Sequence, residues 1–119
     1  MSATKAPAGL ATRGVLRRQA PVFAALGDET RLALLARLST GVPCSITELT
    51  AGGAMSRQAI TKHLEVLEEA GLVRGEAQGR ERRFELETAR LAEARGYLDA
   101  VSAAWDSALG RLRDFVEKS

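Results

Sequence analysis

Ser56, Arg57, Gln58, Thr61 and Lys62 stand within two helical turns of one another, and each carries a donor or acceptor suited to an anion or a base edge. The stretch around them, SRQAITKHLEVLEEAGLV from Ser56 to Val73, separates into two faces when wound at about 100° per residue. Ala59, Ile60, His63, Leu64, Leu67 and Ala70 fall within an arc of roughly 140°. Arg57, Gln58, Thr61 and Lys62 share the opposite side. Ser56 suits an N-cap and Gly71 a C′ stop. Arg57 is the odd residue, because a cation in a first helical turn opposes the macrodipole. A docked anion reverses the sign of that cost, and a nucleic-acid phosphate is such an anion. The pattern therefore implies a helix inserted into double-stranded DNA. Gln58 is the candidate for an adenine edge, and Arg57 for guanine or phosphate. Glu65, Glu68 and Glu69 lie in the back half, so the Ser56 end is the one that enters the groove.

The other reactive residues are few. His63 and Cys44 are the single histidine and the single cysteine of the chain. There is no Gly-rich phosphate loop, no Ser/His/Asp set with a spare histidine and no His/carboxylate cluster. Catalysis has almost nothing to work with, and neither an enzyme nor a cofactor is expected. His63 could be a ligand or a pH switch, but its place in the apolar arc favours a core histidine bonded to backbone. Cys44 could be a redox sensor, yet no neighbouring His or Lys would lower its pKa, so an inert thiol is expected.

Composition sets the frame for these residues. At 119 residues the chain is one domain, or one domain plus a tail. The apolar fraction of 45% supports a core, while 4% aromatic content points to Leu, Ala and Val packing. Seventeen basic and fifteen acidic residues give a formal charge of +2, so no polybasic tail drives binding. Basic groups must be well placed to act on DNA. One cysteine excludes an intramolecular disulfide. No apolar run approaches the roughly 18 residues of a membrane span, and no signal-peptide core is evident. A cytoplasmic protein with no membrane partner is expected.

The elements that must position the Ser56 helix follow from caps and breakers. Residues 1–12 are small, polar and marked by Pro and Gly, which predicts a mobile arm ahead of a domain over 13–119. Pro21 suits the first turn of a helix that runs through Leu26 and ends at Gly27. Asp28 caps a second helix carrying Leu32, Leu34, Leu35 and Leu38. Ser45 and Glu48 form a capping box for a short third helix over Ile46 and Leu49, which Gly52-Gly53 breaks before Ser56. Two short helices around a Gly-containing turn make a helix-turn-helix. Beyond Gly71, short strands over 72–77 and 82–86 flank Gln78-Gly79-Arg80-Glu81 and form a hairpin, a wing whose tip carries Arg80, Arg82 and Arg83. These three are expected to hold flanking phosphates or the minor groove and to set register more than sequence.

From Thr88 the chain returns to helix. Leu91, Ala94, Leu98, Val101, Trp105, Ala108, Leu112 and Phe115 repeat at alternating spacings of three and four, a seam with a period of about 3.5 residues. Tyr97, Leu109 and Val116 widen it. A small helical core cannot cover so long a stripe, so the same helix of a second subunit is the expected cover. Tyr97, Leu98, Val101, Trp105, Leu112 and Phe115 are the candidate dimer contacts; Trp105 and Tyr97 lining an effector pocket is the weaker alternative.

The fold class is therefore mainly α with a small β-hairpin, a winged helix-turn-helix with a long C-terminal dimerisation helix. Ala25-Leu26-Gly27-Asp28-Glu29-Thr30-Arg31-Leu32-Ala33-Leu34-Leu35 and the Ser56–Val73 segment resemble the ArsR/SmtB-type family of regulators, and the likeness spans roughly residues 21–117. It implies homodimeric transcriptional repressors that bind palindromic operators and release them when an inducer arrives. The family's metal sites do not carry over. The two places of a familiar Cys-x-Cys hold Ser45 and Thr47, Cys44 is one position off, and residues 88–119 contain no histidine. One Cys and one His cannot supply a closed soft-metal site. The chain resembles the metal-independent branch, with no metal; an unidentified small-molecule inducer is a possible partner, and the sequence leaves open whether one exists. A winged helix can also serve as a protein-interaction module that binds no DNA; the basic first turn at Arg57 favours DNA.

Overall fold

The computed structural model describes residues 9–118, so most of the arm expected over residues 1–12 lies outside the described residues. In chain order the elements are α1 (Arg13–Leu26), α2 (Glu29–Leu38), β1 (Cys44–Ser45), α3 (Ile46–Thr50), α4 (Arg57–Glu69), β2 (Val73–Gln78), β3 (Glu81–Leu86) and α5 (Thr88–Glu117).

α1 begins a full eight residues before Pro21, where the sequence predicts only a short helix starting at that proline. Thr12 caps it, its hydroxyl accepting from the Val15 amide at 3.3 Å. An interior proline removes a backbone hydrogen bond and costs about 3 kcal/mol. Tertiary packing outweighs that cost. Val22 and Ala25 are buried in the core, and Phe23 and Leu26 pack against it. On the turn ahead of Pro21, Arg18 grips Glu93 of α5 through two bonds of 2.7 Å. That grip holds Glu93 below the usual carboxylate range, mainly through the guanidinium hydrogen bond.

α2, α3 and α4 follow their caps. Asp28 Oδ2 accepts from the Arg31 amide at 3.1 Å, which also lowers the Asp28 pKa. Ser45 and Glu48 close both halves of the capping box. α4 ends in a Schellman turn: Gly71, at φ +78°, donates to Glu68 O at 3.0 Å, and Leu72 to Leu67 O at 2.9 Å. Leu38, Leu64, Leu67, Leu72 and Val22 are the most deeply buried large side chains, and Phe84 closes the core from the sheet. Of the leucines expected inside on α2, Leu34 and Leu38 are buried, whereas Leu32 faces outward.

The wing is part of a three-stranded antiparallel sheet in the order β1-β3-β2. β1 is an addition to the hairpin expected from sequence, pairing Cys44 with Phe84 and Ser45 with Arg83. In the hairpin, Val73 opposes Leu86 and Gln78 opposes Glu81, leaving Gly79-Arg80 as a two-residue turn. Gly79, at φ +62°, takes the first turn position, as a type II′ hairpin requires. Gly75 is needed for a different reason. A Cβ there would lie 2.8 Å from the Phe84 ring and 2.7 Å from the Arg82 guanidinium.

α5 is one unbroken helix of 30 residues. Ala94 is buried against the body of the domain, but Trp105 is 65% exposed, Leu112 58% and Phe115 71%. Among the described residues no helix is long and apolar enough to cross a membrane.

Candidate nucleic-acid interface

α4 is held from behind by Ile60, Leu64 and Leu67, all buried, so its opposite face is fixed in orientation. Ser56 Oγ accepts from the Ala59 amide at 3.1 Å, and no acidic residue occupies the first turn. Thr61 Oγ1 donates back to Arg57 O at 2.7 Å. Gln58 and Lys62 are exposed, and their side chains make no hydrogen bond or ion pair among the described residues. Arg57 is exposed too, with its Nη1 donating to Thr47 Oγ1 at 2.6 Å. Ser56, Arg57, Gln58, Thr61 and Lys62 are therefore gathered on the outer side of one capped helix end.

The wing arginines separate. Arg80 lies in the hairpin turn, exposed, with no hydrogen bond or ion pair among the described residues. Arg82 and Arg83, expected at the same tip, sit back along β3. Arg82 Nη2 reaches Glu68 Oε2 at 3.0 Å and Gly75 O at 3.1 Å, and its guanidinium lies 5.3 Å from the Phe84 ring centre. Arg83 Nη1 bonds Glu48 Oε1 at 2.9 Å and lies 3.4 Å from Pro43 O. Period-two alternation sends Arg83 to the face that meets α3, and Arg82 to the face that meets α4. Glu48 is kept below the ordinary carboxylate range, first by the Ser45 amide and then by Arg83. Glu68 is one of the back-half acids of α4, and through Arg82 it ties the wing to that helix.

His63 departs from expectation. It is not bonded to backbone in the core but sits at the seam of α2 and α4, its side chain 20% exposed. Its Nδ1 lies 3.3 Å from Arg31 Nη1 and 3.7 Å from Asp28 Oδ2. The same Arg31 donates Nε to Ala25 O at 2.7 Å and reaches Ala24 O at 3.4 Å, covering the last carbonyls of α1. Arg31 thus joins three helices, a role its sequence position did not reveal. Cys44 is half-buried, its Sγ 3.4 Å from Val42 O. Ser45 Oγ accepts from the Glu48 amide, and the Thr47 hydroxyl is taken by Arg57. Among the described residues, no three of His, Cys, Asp and Glu stand together as a metal-holding group.

The candidate dimer residues divide likewise. Leu98, Trp105, Leu112 and Phe115 are exposed, and Val101 is half-buried. Tyr97 is engaged by its own chain: its ring centre is 6.1 Å from that of Phe23, and its hydroxyl donates to Leu10 O at 3.3 Å.

A family model described as a helix-turn-helix domain matches residues 26–76, from the end of α1 into the wing. An ArsR-like transcriptional regulator from Rhodococcus sp. RHA1 superposes with a TM-score of 0.80 at 37% identity, covering 91% of this chain and 98% of that one. The chain belongs to the ArsR family. Two further relatives are HTH-type regulators. The HTH-type transcriptional regulator Rv2034 of Mycobacterium tuberculosis is 39% identical over 85 residues, 71% of this chain and 76% of its own. The uncharacterised HTH-type regulator YuzN of Bacillus subtilis is 43% identical over 67 residues, 51% of this chain and 73% of its own. As an ArsR-family protein the chain is a DNA-binding transcriptional regulator, not an enzyme.

Proposed function

We propose that this ArsR-family regulator is a cytoplasmic homodimeric repressor that reads a palindromic operator. The uncovered apolar stripe of α5 carries the reading, because Trp105, Leu109 and Leu112 are all more than half exposed on a helix otherwise joined to the domain. Burying such a side chain is worth roughly 1.5–3 kcal/mol, so water is a poor environment for the set. Two-fold pairing through α5 sets two α4 helices about one duplex turn, roughly 34 Å, apart along one face of DNA. Gln58, Thr61 and Lys62 then face base edges, with Ser56 and Arg57 at the helix entrance and Arg80 on the flanking backbone. Arg82 and Arg83 support this surface by locking the wing to α4 and α3. No metal takes part, since the hydroxyls of Ser45 and Thr47 are committed within the fold and α5 offers no histidine.

The test is a gel shift on the DNA upstream of the protein's own gene, with and without a chelator. A retarded complex of dimer stoichiometry, unchanged by chelation, is expected. Gln58→Ala and Lys62→Ala should each weaken it by about 1–3 kcal/mol while sparing mixed-sequence DNA. Loss of binding together with one tightly held Zn per chain would overturn the metal-free reading. Undiminished binding by the Gln58→Ala/Lys62→Ala double variant would overturn the groove assignment.

A further inference from the structure

Arg57 and Arg80 come from elements distant in sequence, the first turn of α4 and the hairpin turn, yet both line one hollow of about 220 Å³. Thr47 lies on its wall. Neither guanidinium has a carboxylate partner among the described residues; Glu81, which also lines the hollow, is paired with neither. Arg82 borders it as well, but its charge is answered by Glu68. The hollow therefore presents two unanswered cations from two walls. An exposed arginine ordinarily samples many rotamers and loses them on binding. Arg57 is already confined, because Nη1 donates to Thr47 Oγ1 at 2.6 Å. A threonine hydroxyl carries no charge, so this bond orients the guanidinium without neutralising it. The remaining N–H groups of its five-donor fork suit tetrahedral phosphate oxygens, which accept from more than one direction.

We propose that this hollow seats a phosphate of the duplex backbone, and that Thr47 positions Arg57 for it. Arg57 then holds the backbone and does not read bases; sequence is left to Gln58, Thr61 and Lys62. The inference rests on the docking of α4 proposed above and adds a ligand class and a positioning residue to it.

The experiment uses the full chain and a mixed-sequence duplex, with affinity measured across a salt series. Arg57→Ala should flatten the slope of log K against log salt by about one unit, as for one lost phosphate contact. Thr47→Val, which keeps shape and removes the hydroxyl, should weaken binding about 2–10-fold, the ordinary effect of one hydrogen bond. Thr47→Ser should restore it. In an Arg57→Ala background, Thr47→Val should change nothing further. A purely structural role for Thr47 would lower the thermal midpoint and weaken binding equally in both backgrounds, and that result overturns the positioning role. If Arg57→Ala leaves the salt slope intact while Arg80→Ala flattens it, the phosphate seat fails and the docking stands. If neither alters the slope, the docking itself fails and this inference with it.

Discussion

The two halves of α5 carry one continuous apolar repeat but meet different surroundings. In the first half, Ala94 is 2% exposed, Tyr97 packs at a tilt against Phe23, and Glu93 is gripped by Arg18, although Leu91 and Leu98 on the same half face out. In the second half, Trp105, Leu109, Leu112 and Val116 all face out. The difference is one of length. α1 has 14 residues and α5 has 30, which at the helical rise are about 21 Å and 45 Å. The shorter helix runs out before the longer one does. A repeat in sequence states that a face is to be covered; the neighbour's length decides how much of it the same chain can cover.

This contrast can be broken by equivalent insults to each half. Ala94→Asp puts an unpaired charge into the α1–α5 contact and should cost at least about 3 kcal/mol in urea unfolding of the chain. Leu109→Asp should leave the chain folded and instead abolish concentration-dependent association. If both variants unfold alike, the second half belongs to the monomer's own core. The wing offers the same contrast at smaller scale. Arg80→Ala should leave the thermal midpoint unchanged and flatten the salt dependence of DNA binding by about one unit of slope. Arg82→Ala should lower the thermal midpoint, because it loses Glu68 and Gly75 O at once. Equal effects on the salt slope would place both arginines on the duplex.

Acid sharpens the comparison further. Glu93, Asp28 and Glu48 all have folded pKa values below their ordinary ones, through Arg18, the Arg31 amide and the Ser45 amide respectively. A depressed folded pKa adds stability that is complete above the unfolded value and is lost as pH falls through the folded one. The α1–α5 clasp and the α2 and α3 caps should therefore weaken together below the ordinary carboxylate range. Tyr97 fluorescence and circular dichroism followed down a pH series would show this. A thermal midpoint that stays level through that range would remove these three groups from the account.

Much of this was legible in the residues. The caps at Asp28, Ser45 and Ser56, the Gly71 stop and the Gly79 turn are local signals, and each acts where its spacing places it. What sequence did not show depends on partners far along the chain. Pro21 reads as a helix start until Arg18–Glu93 and the burial of Val22 and Ala25 carry α1 back to Thr12. β1 is only two residues, too short to have a period, and exists because β3 lies beside it. Arg82 and Arg83 read as two more cations of the wing tip, because Glu68 and Glu48, which meet them on opposite faces of β3, are 14 and 35 residues distant. His63 lies within its helix's apolar arc, and nothing in sequence showed that Arg31 and Asp28, from the start of α2, would reach it there. Thr47 had no signal beyond a hydroxyl at an exposed position.

The central claim is that the open half of α5 joins two chains and thereby sets two reading helices on one operator. Sedimentation of the wild type and Trp105→Ala, paired with a binding titration on the same samples, tests it most directly. The wild type should be a dimer at micromolar concentration. Trp105→Ala should shift toward monomer and lose operator affinity in parallel, although Trp105 is far in sequence from every candidate DNA contact, because one helix and one wing make too few contacts for specific binding. A wild type that stays monomeric at micromolar concentration, or a monomeric Trp105→Ala protein that binds its operator undiminished, would contradict the account.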